Sequence, residues 1–369
     1  MKPAIAIVII LTAAALLAGY VGWHLWKLAP GVWKWVALSV FVLWMATFFV
    51  GFFVMERLPV GVATVVYEVG NTWLIAFLYL LLLFAVSDLA SLLFCRSKSL
   101  FTLTDSAIGL FIVIGIVAVI LTIGGFHYHH KFREEITLVT DKPLEKPLTI
   151  VMASDLHLGY HNRKAELSRW VDLINAEKPD VVLLCGDIID MSIRPVLQGN
   201  YAEEIRRIEA PVWAVLGNHE YYSHVDQAER FFAAADIVLL KDSVAHCKGL
   251  DIIGRNDRTY PNRLVLKELK EKFDIQDSHL SILLDHQPYH LEEAEAAGID
   301  FQFSGHTHRG QVWPLSWITD ALYEKSWGHH QRGNTHYYIS SGLGIWGPKI
   351  RIGTRSEYLV LHIENMGVK

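Results

Sequence analysis

Cysteine is scarce, charge is scarce, and a basic excess is missing. Three cysteines, Cys95, Cys185 and Cys247, cannot build a disulfide framework, which excludes a small stapled scaffold. Lys and Arg number 33 against 38 Asp and Glu, a formal net charge of −5. That balance, with no basic stripe, argues against a general nucleic-acid binder. Charged residues make up 19% of the chain and apolar ones 52%. A mean hydropathy of +0.28 over 369 residues is too high for a wholly soluble chain. Internal repeats and low-complexity tracts are absent as well.

What is present is apolar length, unevenly placed. Nearly all of it lies before His127. Four runs, about Pro3–Trp23, Val32–Met55, Thr72–Cys95 and Ser106–Phe126, each reach the roughly 20 residues that cross a bilayer as a helix. Pro30-Gly31, Arg57-Leu58-Pro59 and Arg96-Ser97-Lys98-Ser99 mark the connections. Trp23, Trp26, Trp33, Trp35 and Trp73 lie near run ends, where indole rings favour the water–lipid interface. Lys2 and Ala13-Ala14-Ala15 would also suit a signal peptide, but the runs that follow make a retained helix simpler. Residues 1–126 are therefore expected to form a multi-pass transmembrane region of about four helices in the cell membrane. Lys27 and Lys34, then Arg96 and Lys98, lie in short connections without acids. By the positive-inside rule those connections lean cytoplasmic, which puts the soluble domain on the extracytoplasmic face. Asp88 lies inside a span and is either a functional carboxylate or a protonated or helix-paired structural one.

Residues 127–147 read as a linker with mixed charge. Its His127, His129 and His130 suit either a metal or a solvated juxtamembrane segment. From Leu148 to the end, residues 148–369, the texture is that of a layered α/β domain. Leu148–Ala153, Asp180–Cys185, Val212–Leu216, Leu250–Ile253, Ser281–Leu284, Thr335–Ser340 and Glu357–Ile363 read as strands. Lys164–Ala176, Tyr201–Ile208, Asp226–Ala235 and Leu291–Ala297 have helical spacing. Strands alternating with helices, then a strand-rich tail, define the class.

Five pieces of this domain carry chemistry: Asp155-Leu156-His157, Gly186-Asp187, Gly217-Asn218-His219-Glu220, His286, and Gly305-His306-Thr307-His308. Four of them follow a short apolar run, where an α/β sheet presents side chains to a crevice. Carboxylates, imidazoles and an amide are donors for divalent cations of hard to borderline character. Two such cations held close together need one ligand with two oxygens, and Asp187 is the candidate. Gly186 before it lets the backbone turn close to the ions. Asp155 and His157 suit one ion. Asn218 offers a neutral oxygen, and His286, His306 and His308 offer imidazoles. Water in such a site attacks phosphorus at neutral pH. His219 could protonate the leaving oxygen or stabilise phosphoryl charge. Each piece alone has a bland reading, a turn for Gly217-Asn218 or a packed core ring for His286, but five in one order do not. His161, His224, His246, His279, His290 and His362 are assigned to surface or packing. His329-His330 is a solvated pair or a loop facing the site.

Asp-x-His, Gly-Asp-x-x-Asp from Gly186 to Asp190, Gly-Asn-His-Glu, a lone His and Gly-His-x-His, in that order, resemble the calcineurin-like metallophosphoesterase superfamily from roughly Leu148 to Ile363. The resemblance implies a four-layer αββα sandwich and a metal-dependent phosphoric ester hydrolase with two divalent ions, manganese, iron or zinc. One ion would be held by Asp155, His157, Asp187 and His308. The other would be held by Asp187, Asn218, His286 and His306. His219 would be the catalytic histidine, beside the bridging Asp187. The run Gly305 to Gln311 and Ser340-Ser341-Gly342-Leu343-Gly344 resemble the bacterial membrane-anchored branch, which more often has Gly where this chain has Arg309. Arg309 either contacts a substrate phosphate or is a tolerated surface change.

The long connection Gln311 to Arg332 is rich in large apolar groups. Trp313 and Trp317 in it are candidate substrate contacts, lining an acyl-chain groove or touching the membrane. The bland alternative packs it as a short helix and strand on the core. Trp346, Pro348 and Arg351 form a second candidate wall. The expected partners are membrane lipids and a lipid-linked phosphorylated substrate, with no nucleic acid. The competing reading is a metal-stabilised regulatory or sensing domain on a membrane bundle. Oligomeric state is left open.

Overall fold

The computed structural model describes residues 3–93 and 106–366. Lys2, Cys95, Arg96 and Lys98 lie outside the described residues. The chain divides into two compact units, one ending at Gly125 and one beginning at Phe126.

The first unit is built from helices α1 (Pro3–Leu28), α2 (Trp33–Val54), α3 (Val60–Leu93) and α4 (Ala107–His129), the last running on into the second unit. All four are long and apolar enough to cross a membrane. Phe52, Phe53, Leu92 and Phe111 project outward, as a helix apolar all round requires of its solvent. Gly31, with φ +53, makes the turn after α1. A Cβ at Gly70 would lie 2.8 Å from the backbone of Phe48, so glycine is what lets α2 and α3 approach. The third span was expected from Thr72 but begins at Val60, directly after Pro59. Glu68 and Asn71 hid its first turns, and Asn71 is absorbed by donating Nδ2–H to the Tyr67 carbonyl at 2.8 Å. Asp88 is a paired acid. It accepts from the Tyr20 hydroxyl at 2.7 Å and lies 3.1 Å from His24 Nε2.

The second unit opens with a correction. Residues 127–147 are not a linker, because Lys131–Thr140 is a strand, β1. It pairs in parallel with β12 (Ser356–Asn365) from Lys131↔Ser356 to Thr140↔Asn365. Ile136, Leu138 and Thr140 turn inward while Arg133, Glu135, Thr137 and Val139 face out, a period of two that the charges disguise.

The remaining strands are β2 (Leu148–Ala153), β3 (Val181–Cys185), β4 (Val212–Val215), β5 (Ile237–Leu239), β6 (Ser243–Cys247), β7 (Leu250–Gly254), β8 (Leu280–Leu284), β9 (Phe301–Ser304), β10 (Gly328–Arg332) and β11 (Thr335–Ile339). They form two six-stranded sheets, ordered β1-β12-β2-β3-β4-β5 and β10-β11-β9-β8-β7-β6. Ile150 and Met152 of the first sheet and Ile282, Leu284 and Phe303 of the second share one core between them. Val151, Val182 and Val360 face the other way, under Leu167 and Trp170 of the helix Lys164–Ala176. Ile253 and Leu283 pack on Leu266 and Leu269 of the helix Leu266–Lys272. The layers are therefore α, β, β, α. Central strands buried on both faces read as unbroken apolar runs, which is why they were visible.

The connection Gln311 to Arg332 does fold as a helix, Leu315–Leu322, and a strand, β10. His329 and His330 belong to β10, where His329 is exposed and stacks on His336.

Candidate metal centre

The five pieces meet at one end of the two sheets. Asp155 and His157 follow β2, Asp187 follows β3, and Asn218 and His219 follow β4. These strands are adjacent and parallel. His286 follows β8, and His306 and His308 follow β9, again adjacent and parallel. Asp155, His157, Asp187, His306 and His308 all have positive φ, between 45° and 70°. For non-glycine residues that costs about 1–3 kcal/mol each and persists only where surrounding structure enforces it. Three motif glycines make the space. A Cβ at Gly186 would stand 2.5 Å from His286 Nδ1, at Gly217 2.2 Å from Asp187 Oδ1, and at Gly305 2.3 Å from Asp155 Oδ2.

Two donor groups result, with every member buried except the partly exposed His306. Asp155, His157 and His308 form one, and Asp187, His286 and His306 the other. In the first, His157 Nε2 and His308 Nε2 are 3.1 Å apart. His308 Nε2 is 3.5 Å from Asp155 Oδ1. In the second, His286 Nε2 lies 3.1 Å from Asp187 Oδ2. The same Oδ2 is 3.8 Å from His157 Nε2, so Asp187 stands between the groups.

Hydrogen bonds from behind fix the orientation. His286 Nδ1–H donates to the Cys185 carbonyl at 2.8 Å, which leaves Nε2 as a free donor atom toward Asp187. Among the described residues, His286 Nε2 and Asn218 Oδ1 are buried without a hydrogen-bond partner. Burying such groups unpaired is expensive. Converging imidazole, amide and carboxylate donors with unspent lone pairs fit divalent cations.

The electrostatics agree. Burial pushes the Asp187 carboxyl up, but facing imidazoles, His286 first, outweigh it and hold it well below the usual carboxylate range. Burial also pushes the His157 imidazole down, yet Asp155 and Asp190 raise it to about 10. Burial lowers the His306 and His308 imidazoles, which favours the neutral form that ligates a metal.

Two residues lay inside the motifs but had no role assigned to them. Asp190 Oδ1 is 3.2 Å from His157 Nδ1 and 3.1 Å from His219 Nδ1, so one buried carboxylate seats a metal-ligand candidate and the candidate acid. Glu220 accepts from the backbone N–H of Gly217 at 2.7 Å, Ile189 at 2.8 Å and Asp187 at 3.0 Å, tying the Asp187 and Asn218 turns together. Burial, reinforced by Asp187, raises its carboxyl to about 7. His219 presents a side chain 12% exposed, and its backbone N–H donates to Asp187 Oδ1 at 2.8 Å.

The expected substrate residues fare differently. Arg309 stacks on the Trp327 ring at 4.4 Å from its centroid. Trp313 and Trp317 meet edge to face at 5.4 Å on the surface. Arg351 is not a crevice wall. It is fully buried and donates to the carbonyls of His308 at 2.9 Å, Gly344 at 3.1 Å and Ser341. Burial lowers its guanidinium to about 10.

Fold and site together define a metal-binding αββα domain carried behind apolar helices. Residues 148–310 match the family described as calcineurin-like phosphoesterase. A metallophosphoesterase of Campylobacter jejuni is 31% identical over 227 residues, 60% of each chain. A Bos taurus transmembrane protein with metallophosphoesterase domain is 28% identical over 243 residues, 60% of this chain and 54% of its own. A dimetal phosphatase of Danio rerio aligns over 54% of this chain and 88% of its own, at 13% identity and a TM-score of 0.36. The chain spans 60% and 63% of the length of the first curated relatives it matches. Within the second unit, residues 148–310 are thus similar to the calcineurin-like phosphoesterases, and divalent metal ions are what that similarity implies for the two donor groups.

Proposed function

We propose that this chain is a membrane-anchored phosphoesterase that uses two divalent ions, manganese, iron or zinc, to hydrolyse a phosphoester or pyrophosphate bond. The observation that carries the reading is Asp187, placed between the two donor groups. Divalent cations bound there lower the pKa of water and polarise phosphoryl oxygens. Asp155, His157 and His308 hold one ion, and Asn218, His286 and His306 hold the other. His219, seated on its Nδ1 side by Asp190, has Nε2 left to protonate the leaving oxygen.

The substrate is lipid-linked or membrane-proximal, and membrane lipids are the partners. Tethering raises the effective concentration of such a substrate. A short distance beyond His308, Trp313, Trp317, Ile318 and Leu322 are 42%, 65%, 55% and 70% exposed, an apolar lip suited to acyl chains or a bilayer surface. The basic connections Lys27–Lys34 and Arg96–Lys98 favour the extracytoplasmic face for the soluble unit.

The test uses detergent-purified full-length protein, stripped and reloaded with manganese, zinc or iron. Release of phosphate or alcohol is measured from a monoester, a diester and a lipid-linked pyrophosphate, with Asp187→Asn and His219→Gln alongside. Metal-dependent turnover lost in both variants supports the reading. Turnover that survives Asp187→Asn overturns it.

A further inference from the structure

A third group of metal donors lies away from this centre. His246, Asp251 and His279 bring one ligand atom each within reach of a single ion. His246 and Asp251 are directly opposite in the antiparallel β6–β7 pair. Lys248 and Gly249 between those strands have φ of 51° and 82°, so a tight two-residue turn fixes that register. Asp251 stands beside Ser281 of β8 in the parallel β7–β8 pair, and His279 precedes β8. Lys142 Nζ donates to the His279 carbonyl at 3.0 Å and holds that backbone in place. His286, a ligand of the main centre, follows the other end of β8. The two sites are thus separated by the length of a five-residue strand, roughly 17 Å at 3.3 Å per residue.

We infer that His246, Asp251 and His279 form a separate site for one borderline divalent cation of the zinc type. His246 Nδ1 is 2.7 Å and His279 Nδ1 3.3 Å from Asp251 Oδ1. Four-coordinate zinc with bonds of about 2.0–2.1 Å places its ligand atoms about 3.3 Å apart. One separation already matches, and the other opens by a small side-chain rotation. The carboxylate is the telling group. Asp251 is 1% exposed, and its Oδ2 has no hydrogen-bond partner among the described residues. Both rings face Oδ1, and a buried carboxylate is costly unless its charge is met, which a cation held at Oδ1 between the rings does. The two rings, with side chains 63% and 47% exposed, do no comparable packing and leave the outer face open to water. Two imidazoles, one carboxylate and water are a familiar zinc donor set. An ion there would clamp the β6–β7 hairpin to the segment entering β8.

The probe is zinc alone. Full-length protein in detergent is stripped with a chelator, loaded with zinc at neutral pH, desalted, and its zinc counted per chain. The comparison is with His246→Asn/His279→Asn and with the near-isosteric Asp251→Asn, each checked for an unchanged circular dichroism spectrum. The parent is expected to retain one zinc ion more than either variant. Equal zinc in all three overturns the inference and leaves an imidazole–carboxylate hydrogen-bonded cluster. The readout is a difference, so it stands whether or not the centre at Asp187 binds two ions or turns over a phosphoester.

Discussion

Asp190→Asn is the perturbation that asks most of the geometry. The change keeps the shape of the side chain and removes its charge. Asp190 lies 3.2 Å from His157 Nδ1 and 3.1 Å from His219 Nδ1, and it is 1% exposed, so solvent screens neither interaction. The His157 hydrogen bond to a charged partner is worth about 1.5–3 kcal/mol, about one to two decades in an equilibrium or rate constant, and the His219 contact is a close imidazole–carboxylate pair. Outer partners of metal-bound imidazoles typically carry about 10–100-fold in affinity or activity, the same range. The expected result is a metal affinity lower by about 10–100-fold, from loosening His157. A further fall in kcat at saturating metal follows from loosening His219, with KM little changed. The assay is competition against a chelating dye, followed by turnover at full metal loading. A folded variant with parental affinity and parental kcat would refute the claim that Asp190 positions both rings.

Three further changes follow from the packing around the site. Gly217→Ala places a methyl 2.2 Å from Asp187 Oδ1 and 2.5 Å from its backbone N, so metal content should fall sharply while the fold, followed by circular dichroism, survives. Arg351→Met strands the Ser341 and Gly344 carbonyls at about 1–3 kcal/mol each, while the His308 carbonyl keeps the Gln311 N–H, so thermal unfolding of the second unit should show about 3 kcal/mol less stability. Parental stability would mean those carbonyls find other partners. Trp317→Glu with Leu322→Glu puts charge on residues 65% and 70% exposed, so turnover of a soluble diester should be unchanged and turnover of a lipid-linked substrate reduced. Equal loss on both would mean the lip supports the fold rather than the substrate.

The candidate ligands could be picked out because the chemistry restricts residue type, and the structure brings them together because the sheets restrict position. Asp155, Asp187, Asn218 and His306 each follow a strand whose apolar run announces itself. Asp190 and Glu220 sat in the same motifs, yet their work is done through two neighbouring rings and three backbone N–H groups, and only folding reveals it. β1 was lost because Arg133, Glu134 and Glu135 mask a period of two on an edge strand with little to bury. The edge strands β5 and β6 are too short, at three and five residues, to show a period, and β10 was weighed only as part of the connection Gln311 to Arg332. No local pattern announces a buried arginine such as Arg351, whose partners come from His308 and from its own tail. His246, Asp251 and His279 converge through a hairpin register and a parallel pair, so His246 and His279 read as surface or packing residues and Asp251 as part of a strand.

The central claim is that Asp187 joins two ions in one centre. Full-length protein loaded with manganese should show the electron paramagnetic resonance spectrum of an exchange-coupled pair, and Asp187→Asn should lose that coupling. A spectrum of isolated ions in the parent, or coupling that survives the substitution, would contradict it.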